Sequence, residues 1–259
     1  MTGDESRHEL LTVSKVDKIF QTDKGPLHVL DQLDFRVGPG EFVCLLGPSG
    51  AGKTTLLRAV SGLDLATSGS VRLEGVEVTE PPEHMAFVFQ DYSRSLLAWQ
   101  TVEENVMLPL RRSHNRATQK QKAHEALASV GLAGFETSYP WQLSGGMQQR
   151  VAIARALAYD APLMIMDEPF AAVDAQTRAE LQDFILELHA ASGKAILFVT
   201  HDVDEAAYLS DRIVVLTARP ATVNDEIRND LPKPRDQIVT KGLPRYNQIR
   251  AEILGLIKH

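Results

Sequence analysis

The sequence predicts an α/β fold: a mostly parallel sheet, covered on both faces and interrupted by a helical insert. Three observations predict it. Short apolar runs at 42–46, 163–166 and 195–200 alternate with helical stretches, which is how strands of a buried parallel sheet read. Strand signals stop between Asp91 and about Ala158, where the spacing is helical instead. A Gly-rich loop links the first apolar run to a helix, as in a sheet built to hold a ligand at its strand ends.

Taken in order, the first ten or so residues read as a polar tail. Leu11 to Phe20 alternates enough for a strand, and Asp23-Lys24-Gly25-Pro26 marks a turn within 21–27. A second edge strand over 29–37 ends at Gly38-Pro39-Gly40, and Phe42 to Leu46 forms the core strand. The helix from Thr54 stops at Ser61-Gly62. A short β unit over 70–78 breaks at Gly75, and Met85 to Phe89 is a further strand ended by Gln90. The insert holds helices at 102–110, limited by Pro109, at 117–130, closed by Gly131, and at 146–159. Leu163 to Met166, Ala195 to Thr200 and Arg212 to Thr217 complete the strands, with helices at 175–191 and 203–209. After Arg219-Pro220 the chain loosens until a last helix at 246–257. The division is thus a core over 11–90 and 159–230, a helical unit over 91–158, and a C-terminal segment over 231–259.

Composition narrows the function classes. Hydrophobic residues make up 44% of the 259 residues, ordinary for a globular protein. Lys+Arg 27 against Asp+Glu 34 gives a net charge of −7, which argues against a nucleic-acid partner. The single cysteine, Cys44, lies in an apolar strand and reads as a buried small residue. No run reaches the roughly 18 apolar residues of a membrane span, and the polar start is no secretory signal. A cytoplasmic location is expected, and any membrane role needs a partner.

The chemistry begins at Gly47-Pro48-Ser49-Gly50-Ala51-Gly52-Lys53-Thr54-Thr55, which fits G-x-x-x-x-G-K-[ST] between a strand and a helix. Such a loop turns backbone N–H groups and a helix N-terminus toward a phosphate chain, and side chains there would block the approach. Lys53 would reach the terminal phosphates, and the Thr54 hydroxyl would ligate Mg²⁺. Asp167 ends an apolar strand, where it can hold Mg²⁺, and Glu168 follows at once, where it can orient or deprotonate a water. Gln90 and His201 also sit at strand exits. Gln90 suits Mg²⁺ or the attacking water, and His201 suits the γ-phosphate. Leu143-Ser144-Gly145-Gly146-Met147 caps the third insert helix with Ser144 and leaves N–H groups uncovered, which makes a second anion site. Two copies set head to tail would let each Ser144 loop face the other's Lys53 loop.

Together these motifs resemble the nucleotide-binding subunit of an ATP-binding cassette transporter. The likeness covers nearly the whole chain, with the phosphate loop, Gln90, the signature 143–147, the strand 163–167 with Glu168, the D-loop Ala171-Ala172-Val173-Asp174 and His201 in the family's order. It implies a P-loop NTPase fold: a RecA-like α/β core with an antiparallel β subdomain and an inserted α-helical subdomain. It implies ATP and Mg²⁺ as cofactors, Glu168 as general base, His201 on the γ-phosphate, and Ser144, Gly145, Gly146 and Asp174 acting on the partner copy's nucleotide. Phe20 falls where the family stacks an aromatic on adenine, and it fits a core strand equally well. Met147 stands where the family usually has Gln, and the D-loop departs from the commoner Ala-Leu-Asp ending.

The stretches Leu96 to Val102, Tyr139 to Leu143, Thr200 to Ala206 and Leu231 to Asp236 are similar to importers of nitrate, sulfonate and taurine. That resemblance implies permease subunits as partners, a solute-binding protein acting indirectly, and a peripheral place on the cytoplasmic face of the cell membrane. A groove near Gln90 and from Tyr92 to Trp99 would receive a permease helix, although Leu96, Leu97 and Trp99 read equally as subdomain core. Related subunits also serve thiamine-precursor uptake. Rival readings are a soluble cassette protein outside transport, a small-molecule kinase or GTPase, and a regulatory module with a dead site.

Overall fold

The computed structural model describes residues 9–91, 95–112, 115–171 and 173–257. Residues 1–8 of the expected tail, Tyr92 of the expected groove and Ala172 of the D-loop lie outside these. The chain opens with β1 (Leu11–Thr22), β2 (Gly25–Val37) and β3 (Phe42–Leu46), then α1 (Lys53–Val60). Next come β4 (Ser68–Leu73), β5 (Val76–Glu77) and β6 (Met85–Val88). The insert holds α2 (Val102–Met107), α3 (Arg116–Ser129) and α4 (Gly145–Tyr159). Then follow β7 (Leu163–Asp167), α5 (Ala175–Ser192), β8 (Ala195–Thr200), α6 (Val203–Leu209), β9 (Arg212–Leu216), β10 (Val223–Arg228) and α7 (Pro244–Ile257).

The strands form two sheets. One is antiparallel, in the order β2-β1-β4-β5; the other runs β10-β9-β3-β8-β7-β6 and is parallel except for β10 at its edge. The central strands are buried on both faces, and successive side chains point opposite ways. In β3, Phe42, Cys44 and Leu46 join one apolar cluster while Val43 and Leu45 join the other. Met164 and Met166 against Leu163 and Ile165 in β7 repeat the pattern. The first cluster is completed by α4, α5, α6 and α7, and the second by α1 and the antiparallel sheet. Cys44 is free and buried, and burial pushes its thiol up, away from reactivity.

Several boundaries differ from the sequence reading. Leu10 belongs to the structured part: it is buried, and its N–H donates to the Val37 carbonyl at 3.0 Å. The predicted turn over 21–27 shrinks to two residues, because Thr22 already pairs with Gly25, whose φ of +104° glycine alone adopts readily. The helix expected over 102–110 ends at Met107 and tightens into a 3₁₀ turn over Leu108–Arg112. Pro109 lacks the N–H an α-helix would use there. The loosening expected after Arg219 contains β10. This edge strand buries only Ile227 and is otherwise too polar to read as a strand. Among the described residues, no helix is long and apolar enough to cross a membrane.

Candidate functional site: a phosphate loop facing two acids

The loop between β3 and α1 owes its shape to its glycines. Gly52 has φ +106°, and a Cβ on it would lie 2.8 Å from Val29 Cγ1. Gly50 has φ +79° with open space around it, so its conformation, not crowding, requires glycine. A Cβ on Gly47 would come within 3.0 Å of Leu216 Cβ. Helix α1 starts at Lys53 without a side-chain cap, which leaves its first N–H groups available to an anion.

Lys53 is buried and folds back over the loop. Its Nζ donates to the Gly47 carbonyl at 2.8 Å and the Pro48 carbonyl at 3.2 Å. It also stands 3.3 Å from Glu168 Oε1. Ser49, Gly50, Gly52, Lys53, Thr54, Thr55, Glu168 and Arg219 line a cavity of about 280 Å³ at this point. Thr54 is exposed and also borders a neighbouring hollow that Asp167 lines.

The two adjacent acids have different surroundings. Asp167 ends β7 and is buried. Burial, and then the neighbouring Glu168 charge, push its carboxyl from 3.8 up to about 6, with Lys53 opposing. Glu168 leaves the strand with φ +40° while its N–H still donates to the Val199 carbonyl at 2.9 Å. Its carboxylate therefore turns to a different set of partners. Gln90 Nε2 lies 3.4 Å from Glu168 Oε2, and His201 Nδ1 lies 3.0 Å from the same oxygen. Lys53 at the start of α1, Gln90 just past β6 and His201 just past β8 thus converge on one carboxylate.

The second group of motif residues sits apart from that cavity. Ser144 caps α4, its Oγ accepting from the Met147 N–H at 3.3 Å. Asp174 caps α5, accepting from the N–H groups of Gln176 and Thr177 and from the Thr177 hydroxyl at 2.7 Å. The Thr177 bond holds the exposed Asp174 carboxyl below its usual range. These two caps adjoin: a Cβ on Gly146 would meet Thr177 Cγ2 at 3.1 Å. Ser144, Gly145 and Asp174 are exposed, and neither they nor Gly146 lines the phosphate cavity. Met147 is partly buried against the apolar cluster. Phe20, half-buried in β1, packs on the second cluster with Lys18 Nζ 5.1 Å above its ring.

Sequence reasoning missed the residues that tie these groups together. Gln149 is buried, and its Nε2 donates to the Pro169 carbonyl at 2.7 Å, which joins α4 to the segment just after Glu168. The Asp202 N–H donates to Thr200 Oγ1 at 3.0 Å, and that hydroxyl donates to Glu205 Oε2 at 2.6 Å. Arg178 on α5 stands 3.6 Å from Asp202 and 3.9 Å from Glu205. The backbone on both sides of His201 is thereby tied to α5. A buried Glu in the first turn of the helix after a strand is a weak sequence signal; Arg219, at a Pro-containing turn, carries none.

Comparison with known proteins decides the family. A family model described as ABC transporter matches residues 30–171. The chain belongs to the ABC transporter family. It is 46% identical over 249 residues to an uncharacterized ABC transporter ATP-binding protein of Methanocaldococcus jannaschii, covering 96% of this chain and 91% of that one. It is 41% identical over 249 residues to an aliphatic sulfonates import ATP-binding protein of Bacillus thuringiensis subsp. konkukian, covering 96% of each. With a nitrate import ATP-binding protein of Synechococcus elongatus the identity is 42% over 246 residues, covering 93% of this chain and 89% of that one. Among solved structures, a dimeric ATP-binding cassette in a post-hydrolysis state bound to ADP and Pi aligns with TM-score 0.73 and 31% identity, covering 84% of this chain and 98% of that one. The fold is accordingly that of a P-loop NTPase, and the chain is an ATP-binding subunit of the ABC type, an ATP hydrolase.

Proposed function

We propose that this subunit powers import of a small solute of the sulfonate or nitrate kind, working as a pair of copies beneath permease subunits on the cytoplasmic face of the membrane. What favours import is the similarity, over nearly its whole length, to ATP-binding proteins named for sulfonate and nitrate import. A solute-binding protein would act upstream of the permease. The exposed Trp99, on a segment whose backbone Asn105 holds, offers the permease a contact.

The observation that carries the mechanism is the Glu168 carboxylate, held among Lys53, Gln90 and His201. In this reading Gly47, Pro48, Ser49, Gly50, Ala51, Gly52, Lys53, Thr54 and Thr55 bind the phosphates of ATP, and Phe20 lies against the adenine. A phosphate chain in the loop would draw Lys53 toward itself and release Glu168 to accept a proton from water. His201, already beside that oxygen, would meet the γ-phosphate. Thr54, Gln90 and Asp167 present oxygen donors that suit Mg²⁺, and a cation there would offset the adjoining Asp167 and Glu168 charges. Mg²⁺ there would neutralise charge on the phosphates. Ser144, Gly145, Gly146 and Asp174 would complete the site of the other copy, since they stand outside the cavity of their own chain.

Replacing Glu168 with Gln keeps the shape and removes the base. The variant should bind ATP and accumulate as a dimer at saturating ATP–Mg²⁺ while hydrolysis falls at least about a hundredfold. A variant that stays monomeric by light scattering would refute the shared site.

A further inference from the structure

We infer that Arg219 is a further residue of the phosphate site: it fixes the outer lip of the phosphate loop and adds a second cation beside the phosphates. This rests on the nucleotide-binding reading above and deepens it.

Arg219 lies in the turn between β9 and β10, far in sequence from the loop. Its Nη2 donates to the Gly50 carbonyl at 3.0 Å, and it lines the same cavity as Lys53, Thr54 and Glu168. The peptide unit is planar, so holding the Gly50 oxygen also sets the direction of the Ala51 N–H. That N–H donates to the Pro48 carbonyl at 3.2 Å and closes the inner turn of the loop. Gly50 has φ +79° and no neighbour to pack a Cβ against, so packing does not hold this peptide. Arg219 does.

The turn that carries Arg219 is a firm support. The Thr217 N–H donates to the Thr222 carbonyl at 3.0 Å, and the Thr222 N–H donates to Thr217 Oγ1 at 2.9 Å. Ala221, fully buried, exchanges backbone bonds with β2: its N–H donates to the Val29 carbonyl, and its carbonyl accepts from the Asp31 N–H, both at 2.9 Å. Val29 and Leu30 are also the side chains against Gly52. One stretch of β2 thus braces both the loop and the turn, which sets the distance between Arg219 and the phosphates.

Charge supplies the rest of the argument. The cations lining the cavity are Lys53 and Arg219, and Lys53 is shared with Glu168 and two carbonyls. A di- or triphosphate carries several negative charges. A guanidinium has five N–H donors in a planar fork, so at the cavity wall its other N–H groups can meet phosphate oxygens while Nη2 keeps the Gly50 carbonyl.

The test uses the full-length chain, with Mg–ATP and ADP affinity measured by titration calorimetry and thermal melting recorded without nucleotide. Arg219→Ala should weaken both affinities by about five- to twentyfold and leave the melting midpoint in place. Arg219→Lys, which keeps the charge and loses the fork, should fall between, and the Ala variant should show a flatter loss of affinity with salt. Unchanged affinities would overturn the inference, as would a lowered melting midpoint with normal affinities. Lys53→Ala serves as the reference: if it binds ATP like the wild type, the nucleotide reading itself fails, whereas its loss of binding beside a normal Arg219→Ala refutes only the role of Arg219.

Discussion

Glu205 gives the sharpest physical prediction outside the proposed catalytic residues. It is 5% exposed, and burial pushes its carboxyl from 4.5 up to about 7, with the Thr200 hydroxyl bond as the main opposing influence. A carboxyl raised in the folded chain favours folding while it is protonated. Its contribution is full below the unfolded value of 4.5 and is lost as pH rises through about 7. Such a displacement is worth about 3 kcal/mol, and Arg178 at 3.9 Å already moderates it. Glu205→Gln keeps the size and an acceptor for Thr200 but cannot ionise. Relative to the wild type, the variant should therefore gain about 1–3 kcal/mol between pH 5 and pH 9, or a few degrees of melting midpoint. The assay is thermal melting of both proteins across that range without nucleotide. If the difference between them stays constant or narrows as pH rises, Glu205 is not a buried, reluctantly ionised acid and the reasoning fails.

Two further outcomes follow from loop and insert geometry. Gly52→Ala, with φ +106° and a Cβ 2.8 Å from Val29, should abolish nucleotide binding, whereas Gly50→Ala, strained only by φ +79°, should keep measurable binding; equal losses in calorimetry would contradict the packing argument. Asn105 is fully buried, donates to the Leu97, Gln100 and Thr101 carbonyls and accepts from the Leu97 N–H. The Leu97 and Thr101 carbonyls also accept backbone N–H groups, but Asn105→Leu strips the Leu97 N–H and the Gln100 carbonyl of this partner and should cost about 2–4 kcal/mol in urea unfolding. A smaller loss would mean that the 97–101 segment is held by other contacts.

Much of the site was legible because each motif is local. The spacing from Gly47 to Thr54 alone dictates a strand–loop–helix unit, and Asp167 after four apolar residues must stand at a strand end. β10 and Leu10 were not legible, because a polar edge strand and a single residue ahead of a strand carry no periodicity. Gln149 and Asn105 look like ordinary polar helix residues until the fold buries them. Gln149 takes its role from the Pro169 carbonyl, 20 residues away, and Asn105 from the loop that folds back over it at Leu97 to Thr101.

By itself the sequence determined the chemical inventory: which candidate residues for phosphate, cation and water the chain carries, and the order in which they stand on strands and helices. Only the tertiary structure decided their company. Glu168 meets Gln90 across 78 residues and His201 across 33, because β6, β7 and β8 lie side by side in a parallel sheet and end at the same edge. Arg219 reaches Gly50 across 169 residues because β9 pairs with β3. Local patterns record what each segment prefers. Which segments adjoin depends on how two apolar clusters are divided between the faces of one sheet.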